Sequence, residues 1–345
     1  MEKKHLPLNG YTFIDLFCGI GGFHQAIRSF GAKCVFASDI DNKCRKIYEN
    51  NYGIKPVGDI TKVKICDIPN HDILCAGFPC QSFSICGTKK GFNDKKGQLF
   101  YQIIRIAKSK KPKLLFLENV KNIYTHDNGN TIKTIIKLLN EIEYKVKIKC
   151  LNSANFGCGQ SRKRTYFICW NNKIECKDFE FPTSNGKKVY LKDIINYEVK
   201  EKIPLSKLKN LNYRDTNTDL KLKPLLIGTI NKGRQGERIY SINGVSTTIT
   251  ASGGGIGSKT GLYNINNNIR KLVPDECRKL FGFPSSFKYD NNKNIAIKQF
   301  GNSITVPVLT SILDNLIIFL KKSDKESDKE VEEAQQKMKK LSIKK

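Results

Sequence analysis

The chain has 345 residues, 39% of them hydrophobic, which is enough for two domains or for one large domain with an insertion. Lys and Arg total 60 against 32 Asp and Glu, a formal charge of +28, and the last 25 residues, with nine Lys and six acids, hold only +3 of it. A body that basic favours a polyanionic partner, most simply nucleic acid, with a generally Lys-rich surface as the alternative.

Thr12–Leu16 reads as a buried strand running into Phe17-Cys18-Gly19-Ile20-Gly21-Gly22. A helical pattern follows to Phe30 and stops at Gly31. Residues 33–38 form a second strand ending at Asp39 and Asp41. A strand, a glycine turn, a helix and an acid 20 positions past Gly19 make a nucleotide-type βαβ unit. The glycines run GxGG, not GxGxxG, which suits an adenosyl ligand without a pyrophosphate, although such a turn can also serve only to pack a helix on a strand. Residues 42–51 are helical and Asp59 lies beyond them.

Residues 71–76 are a short buried strand that must end by Pro79, which has no N–H for a ladder. Cys80 then stands at a strand exit, where open α/β sheets hold their ligands. The polar stretch 85–98, with Gly87, Gly91 and Gly97, reads as a loop able to close over it. An arbitrary cysteine is more often a buried structural thiol, so a reactive role for Cys80 needs partners. Residues 99–108 are helical, and the strand 113–117 ends at Glu118-Asn119-Val120, on the same edge as Cys80. Alone, Glu118 reads equally as a surface acid or a helix cap. A helix over 130–139 and a strand over 144–151 follow.

Gln160-Ser161-Arg162-Lys163-Arg164 leads into the strand 165–170. If the strand begins by Arg162, period two puts Arg162 and Arg164 on one face and Lys163 on the other. Two adjacent guanidiniums repel unless an anion or carbonyl lies between them; a solvated edge is the alternative. From about residue 181 the βα alternation stops. Residues 231–261, rich in Gly, Ser and Thr around Gly253-Gly254-Gly255, read as a smaller loop-rich domain. A helix over 272–281 has Pro274 in its first turn, and Gly301-Asn302-Ser303 is expected to open a last helix, 304–320. The twelve Cys have no CxxC pairing and no His/Cys cluster, which disfavours zinc and dithiol redox chemistry and fits free thiols in a reducing cytoplasm. Residues 1–10 lack a signal-peptide core, and 312–320 is broken by Asp314 and too short to span a bilayer.

The motifs Asp15 to Gly22, Gly77 to Ser84, Glu118-Asn119-Val120, Gln160 to Arg164 and Gly301-Asn302-Ser303 occur in an order that resembles the cytosine-5 DNA methyltransferases, most closely the HhaI type of bacterial modification enzyme. The resemblance covers roughly 11–320. It implies an α/β fold: a large S-adenosylmethionine-dependent methyltransferase domain with a Rossmann-like, mostly parallel sheet over 1–185 and 300–322, and a smaller loop-rich β target-recognition domain over 186–274. A hinge is expected over 275–299 and a charged tail over 323–345. The implied cofactor is S-adenosyl-L-methionine, lined by Phe17, Gly19, Gly21, Gly22, Asp39, Ile40, Asp59, Pro79, Leu99, Asn302 and Ser303. Ile40 replaces an aromatic that packs on adenine in the HhaI type, and Asp39 replaces a Glu.

The same resemblance implies Cys80 as the nucleophile toward C6 of a cytosine flipped out of duplex DNA. Glu118 would bond N3, Arg164 would bond O2, and Arg162 would support the catalytic loop or Cys80. Ser84, Gln235, Arg238, Tyr240, Thr248 and Gly255 are the implied DNA-recognition residues, and the target implied is GCGC or a related CG-containing site. Arg234 and Ser252 depart from the HhaI type, which has Gly and Tyr there. The implied partners are double-stranded DNA and a cognate restriction endonuclease, for a monomer in the prokaryotic cytoplasm. A tRNA cytosine methylase of the same family is one alternative, opposed by the long glycine-rich region 231–261. A non-catalytic nucleic-acid-binding relic is another, opposed by the presence of both Cys80 and Glu118.

Overall fold

The computed structural model describes residues 6–79, 98–172, 174, 178–213 and 219–322. Cys80, Ser84 and the loop expected after them, and the tail 323–345, lie outside the described residues.

Six strands form the first sheet: β1 (Thr12–Leu16), β2 (Lys33–Ser38), β3 (Ile73–Gly77), β4 (Leu114–Val120), β5 (Tyr144–Asn152) and β6 (Lys163–Asn171), in the order β2-β1-β3-β4-β6-β5. The first four run parallel, and β6 is antiparallel to both its neighbours. Strands buried on both faces should read as continuous apolar runs, and β1, β3 and β4 do. Alternation sends Phe13, Ile73, Cys75, Leu114, Phe116, Tyr166 and Ile168 to one core. It sends Ile14, Leu16, Leu74, Ala76, Leu115, Leu117 and Phe167 to the other. Strand β4 runs on through Glu118 to Val120, past the expected stop, because β6 keeps pairing with it as far as Val120 opposite Arg164.

Four helices connect these strands: α1 (Gly22–Arg28), α2 (Asn42–Tyr52), α3 (Gln98–Lys110) and α4 (Asn130–Glu141). Asp41 caps α2 by accepting from the Lys43 and Cys44 N–H groups. From β1 the chain goes to β2 on one side and returns as β3 on the other. That reversal opens a crevice beyond the carboxyl ends of β1 and β3.

The second sheet has the order β11-β10-β9-β8-β7, with β7 (Asn212–Tyr213), β8 (Leu225–Thr229), β9 (Arg238–Ser241), β10 (Leu262–Ile265) and β11 (Asn268–Arg270). One face builds a small core of Ile227, Ile230, Ile239, Leu262 and Ile269. Tyr240, Tyr263 and Ile265 of the other face join the core shared with the first sheet.

Residues 275–299, expected as a hinge, hold most of two helices, α5 (Pro274–Phe281) and α6 (Lys293–Asn302), whose Phe281, Ile297 and Phe300 belong to that same core. Pro274 sits in the first turn of α5, as expected. The last helix, expected over 304–320 after Gly301-Asn302-Ser303, begins two residues later than that. Gly301 and Asn302 end α6, Ser303 caps it, and α7 spans 306–322. Asn292 starts α6 by accepting from two backbone N–H groups, and Pro307 fits the first turn of α7. Lys293–Lys322 is long and apolar enough to cross a membrane by composition alone, but it breaks at 303–305 and its apolar window is mostly buried in the core.

Gly282 ends α5 at φ +75°, and a Cβ there would lie 2.4 Å from Pro307 Cδ at the start of α7. Gly282→Ala should therefore cost ~1–3 kcal/mol through a left-handed backbone and an overpacked contact. The check is the urea midpoint at constant m; an unchanged midpoint would rule out close docking of α7 on α5.

Candidate active site and cofactor cradle

The glycine turn after β1 divides into two parts. A Cβ on Gly19 (φ +53°) would meet nothing within 4 Å. A Cβ on Gly21 (φ +87°) would fall 2.2 Å from the Tyr52 ring, and one on Gly22 would fall 2.9 Å from the Ile304 carbonyl oxygen and 3.2 Å from Ser303 Oγ. Gly19 faces the open crevice, while Gly21 and Gly22 are required by what packs behind them. Tyr52 holds the turn further by donating its hydroxyl to the Gly21 carbonyl at 2.9 Å.

Asp39, at the exit of β2, accepts from Gly19 N–H at 2.7 Å and from Asp41 N–H at 2.8 Å. Burial pushes its carboxyl up, against the pull of those two N–H groups. Each oxygen keeps a lone pair for a further donor. Ile40 beside it is 79% exposed. Asp59 is half-buried, with Oδ1 engaged by the Thr61 N–H and hydroxyl. Ser303 is buried, and its Oγ has no hydrogen-bond partner. Phe17 and Leu99 are half-buried, and Pro79 and Asn302 are exposed. An open glycine and an acid with free lone pairs at one crevice fit a ligand carrying ribose hydroxyls.

Glu118 is buried and pairs in register with Gly77, three residues before Cys80. Arg164 Nε lies 3.1 Å from Glu118 Oε1, an ion pair whose geometry leaves that oxygen without a hydrogen bond. Burial raises the Glu118 carboxyl, opposed by Arg164 and then by Arg162. Asn119 Nδ2 donates to the Phe78 carbonyl at 2.9 Å and so pins the turn leading to Cys80. Arg162, expected to support the catalytic loop or Cys80, is buried, and both of those lie outside the described residues. It donates to the Ile249, Gly301 and Ser303 carbonyls, and its guanidinium lies 5.1 Å from the Phe281 ring centroid. The period-two expectation holds: Arg162 and Arg164 are drawn inward and Lys163 is exposed.

In the recognition region Gln235 and Arg238 are exposed, and Gly255 (φ +82°) stacks against Gly236. Thr248 is half-buried and donates its hydroxyl to the Ser161 carbonyl at 2.6 Å. Tyr240, expected among the DNA-recognition residues, is 8% exposed and tilts against Tyr263 at 6.1 Å, because that face of β9 packs on the core shared with the first sheet. Sequence reasoning missed Asn119, Gln160 and Tyr52 as site-shaping residues. The first two lie inside recognised motifs; Tyr52 had no local signal.

The C-5 cytosine-specific DNA methylase model matches residues 11–318. The chain belongs to that family. It is 44% identical over 324 residues to the type II methyltransferase M.HhaI of Haemophilus parahaemolyticus, covering 92% of this chain and 97% of the relative. It is 41% identical over 310 residues to M.HaeII of Haemophilus aegyptius, covering 89% and 93%. An Entamoeba histolytica methyltransferase structure shares the fold at TM-score 0.71 and 22% identity, covering 90% of this chain and 98% of that one. The S. pombe Dnmt2 methyltransferase does so at 0.68 and 20%, covering 89% and 98%. The methylase transfers a methyl group to C5 of cytosine in DNA and uses S-adenosyl-L-methionine. The crevice described above fits that cofactor.

Beneath the methylase's glycine turn, His24 stacks on Tyr52 at 3.9 Å and lies 2.7 Å from the Tyr48 hydroxyl, which donates to Asp15. Burial, and then Arg28, pushes the imidazole down to about 3. The unfolded chain takes up this proton near pH 6.5 and the folded one near 3. The contribution of His24 to stability is therefore complete above ~6.5 and falls as pH drops toward 3, by up to about 1.4 kcal/mol per unit. His24→Phe should flatten the acid limb between pH ~6 and ~4 in urea midpoints; an undiminished slope would assign the acid sensitivity to other groups.

Proposed function

We propose that this methylase is a site-specific type II modification enzyme that flips its target cytosine out of duplex DNA and attacks C6 with Cys80. The observation that carries this is the buried Glu118–Arg164 pair, 3.1 Å apart, at the strand edge that leads to Cys80. Cytosine C5 is too weak a nucleophile to be methylated directly. Addition of a thiolate at C6 pushes electron density to C5, which takes the methyl; a base then removes the C5 proton and the thiolate leaves C6. A free thiol near pKa 8.5 needs help to reach the attacking state. A Glu118 carboxyl raised by burial holds a proton for N3. Arg164 steadies charge on O2 in an oxyanion-hole role. Inside a duplex C6 is out of reach, so the base has to leave the stack. S-adenosylmethionine supplies the methyl when bound. Gly19, Asp39, Ile40, Asp59 and Ser303 line its place. Ile40 offers adenine an aliphatic surface where the HhaI type has a ring.

The unit 186–274 is then the target-recognition domain, with Gln235 and Arg238 exposed on it. The arginine fork suits guanine O6 and N7. The likeness to M.HhaI, 44% identity across nearly the whole of both chains, supports GCGC as the target with the first cytosine modified. A monomer in a bacterial cytoplasm, paired with an endonuclease of the same site, completes this reading.

Cys80→Ser should abolish methyl transfer while duplex binding survives, and wild type should form a stable covalent adduct with 5-fluorocytosine DNA. Glu118→Gln should cut transfer by ~10²-fold, and Arg164→Ala by a comparable factor, with Lys163→Ala nearly silent. Equal losses at Lys163 and Arg164 would sink the assignment by strand face.

Target choice is tested by mapping modified cytosines on plasmid DNA treated with pure enzyme. Enrichment at GCGC is expected, with Arg238→Ala relaxing one position at a cost of ~1–3 kcal/mol. Modified cytosines not even followed by guanine would end the specificity reading while leaving the chemistry standing.

A further inference from the structure

Three segments meet where β6 begins. Residues 246–250 of the recognition region form a parallel bridge to the segment entering β6, through Gln160 opposite Ser246. Ser161 N–H donates to the Ser246 carbonyl at 2.9 Å, and Ser246 N–H donates to the Gly159 carbonyl at 2.8 Å. Next along, Ile249 has both of its backbone polar groups held by side chains. Its N–H donates to Gln160 Oε1 at 3.0 Å, and its carbonyl accepts from Arg162 Nη1 at 2.9 Å. Ile249 and Gln160 are fully buried and Arg162 nearly so. On the far side the same backbone presses on Gly301, where a Cβ would lie 2.4 Å from the Thr250 carbonyl carbon and 2.5 Å from Ala251 N.

Arg162 also ties down the other two segments. Its Nη2 donates to the Gly301 carbonyl at 3.0 Å and to the Ser303 carbonyl at 2.8 Å, at the break between α6 and α7. Ser303 is the residue whose buried Oγ has no hydrogen-bond partner and packs against Gly22 of the glycine turn. Two residues on from Arg162 stands Arg164, on Glu118. One rigid side chain thus touches the recognition backbone and the Ser303 wall behind the glycine turn, and it stands at the entrance of the strand that carries Arg164. None of its described hydrogen bonds goes to a group that would meet the reacting base.

We infer that Gln160 and Arg162 are positioning residues that form a strut, through which the recognition segment at Ile249 sets the placement of Arg164 and of the Ser303 wall, so that a correct DNA sequence raises the rate of chemistry as well as the strength of binding. This rests on the proposed reading of the protein as a sequence-specific methylase. A planar guanidinium held by three carbonyls in a dry site transmits displacement because its donors keep a fixed fork. A shift of the 249–251 backbone cannot be absorbed on the Gly301 side, where there is no free space.

The test uses full-length enzyme, a duplex carrying the mapped wild-type target, and duplexes with one flanking base pair of that target changed. Single-turnover methyl transfer at saturating DNA gives a discrimination ratio in rate, and equilibrium binding gives a separate ratio in Kd. In Gln160→Ala and in Arg162→Lys the rate ratio should fall about tenfold, the scale expected for coupling between two sites, while the Kd ratio stays within about threefold of wild type. Glu118→Gln, which removes a chemical group and leaves the strut intact, should slow all duplexes alike and keep the rate ratio. A merely structural loss would move thermal stability and every rate together without changing the ratio. The strut is refuted if the rate ratio keeps its wild-type value in both variants, or if rate and Kd discrimination collapse together. If Arg162→Lys does not fold, Gln160→Ala, which deletes a single bond to Ile249, decides alone. The wild-type rate ratio reports on the specificity reading itself, so failure there is distinct from failure of the strut.

Discussion

A buried guanidinium without a carboxylate must find other oxygens, and Arg162 takes three carbonyls from stretches 87 to 141 residues away in sequence. Desolvation, and then the neighbouring Arg164, holds it down to about 9, so it remains charged at neutral pH and cannot let those carbonyls go without leaving a bare charge in the core. That constraint closes the molecule. It joins the entrance of β6, the recognition segment and the α6–α7 break at one point. The first of these carries Arg164 to Glu118, and the third packs behind the glycine turn.

The cofactor side follows a similar logic on a smaller scale. Only Gly19 of the three glycines opens onto the crevice. Gly21 and Gly22 are small because Tyr52 and the Ser303–Ile304 backbone occupy the space where side chains would go. The ring of Tyr52 is in turn stacked on His24, in an apolar pocket that includes Phe13 and Tyr48. The shape of the turn is therefore a consequence of aromatic packing behind it. The carboxylate that meets it, Asp39, is aligned by the turn's own Gly19 N–H.

Electrostatics separates two kinds of charge in this chain. The formal +28 is spread over a Lys-rich surface and serves attraction to a polyanion. The charges that matter to chemistry and form are few and buried: Glu118 with Arg164, Arg162 on carbonyls, and Arg270 with Glu276, which holds residue 196 against α5. Two of these arginines, Arg162 and Arg164, are separated by one exposed lysine, and strand alternation alone sorts them.

By itself the sequence determined the βα order of the first sheet, the glycine turn, the acids at strand exits, the inward pair Arg162 and Arg164, and the family. These depend on local period, on φ-restricted residues and on motifs whose members lie within a few positions of one another. It left open what a distant contact decides. The two helices within 275–299 are core elements because Phe281, Ile297 and Phe300 belong to the same apolar cluster as first-sheet residues. Tyr240 is core because a second aromatic, Tyr263, lies one strand over. Gly301-Asn302-Ser303 ends a helix because Asn292 starts one ten residues earlier and the Gly301 backbone must admit Thr250 and Ala251 at contact distance. Arg162 shows its inward face in the sequence but not its partners, since the Ile249, Gly301 and Ser303 carbonyls are brought near only by folding. Which face of a residue is needed can be read from its neighbours in the chain; which partner it meets there is settled only when distant backbones compete for the same buried donor.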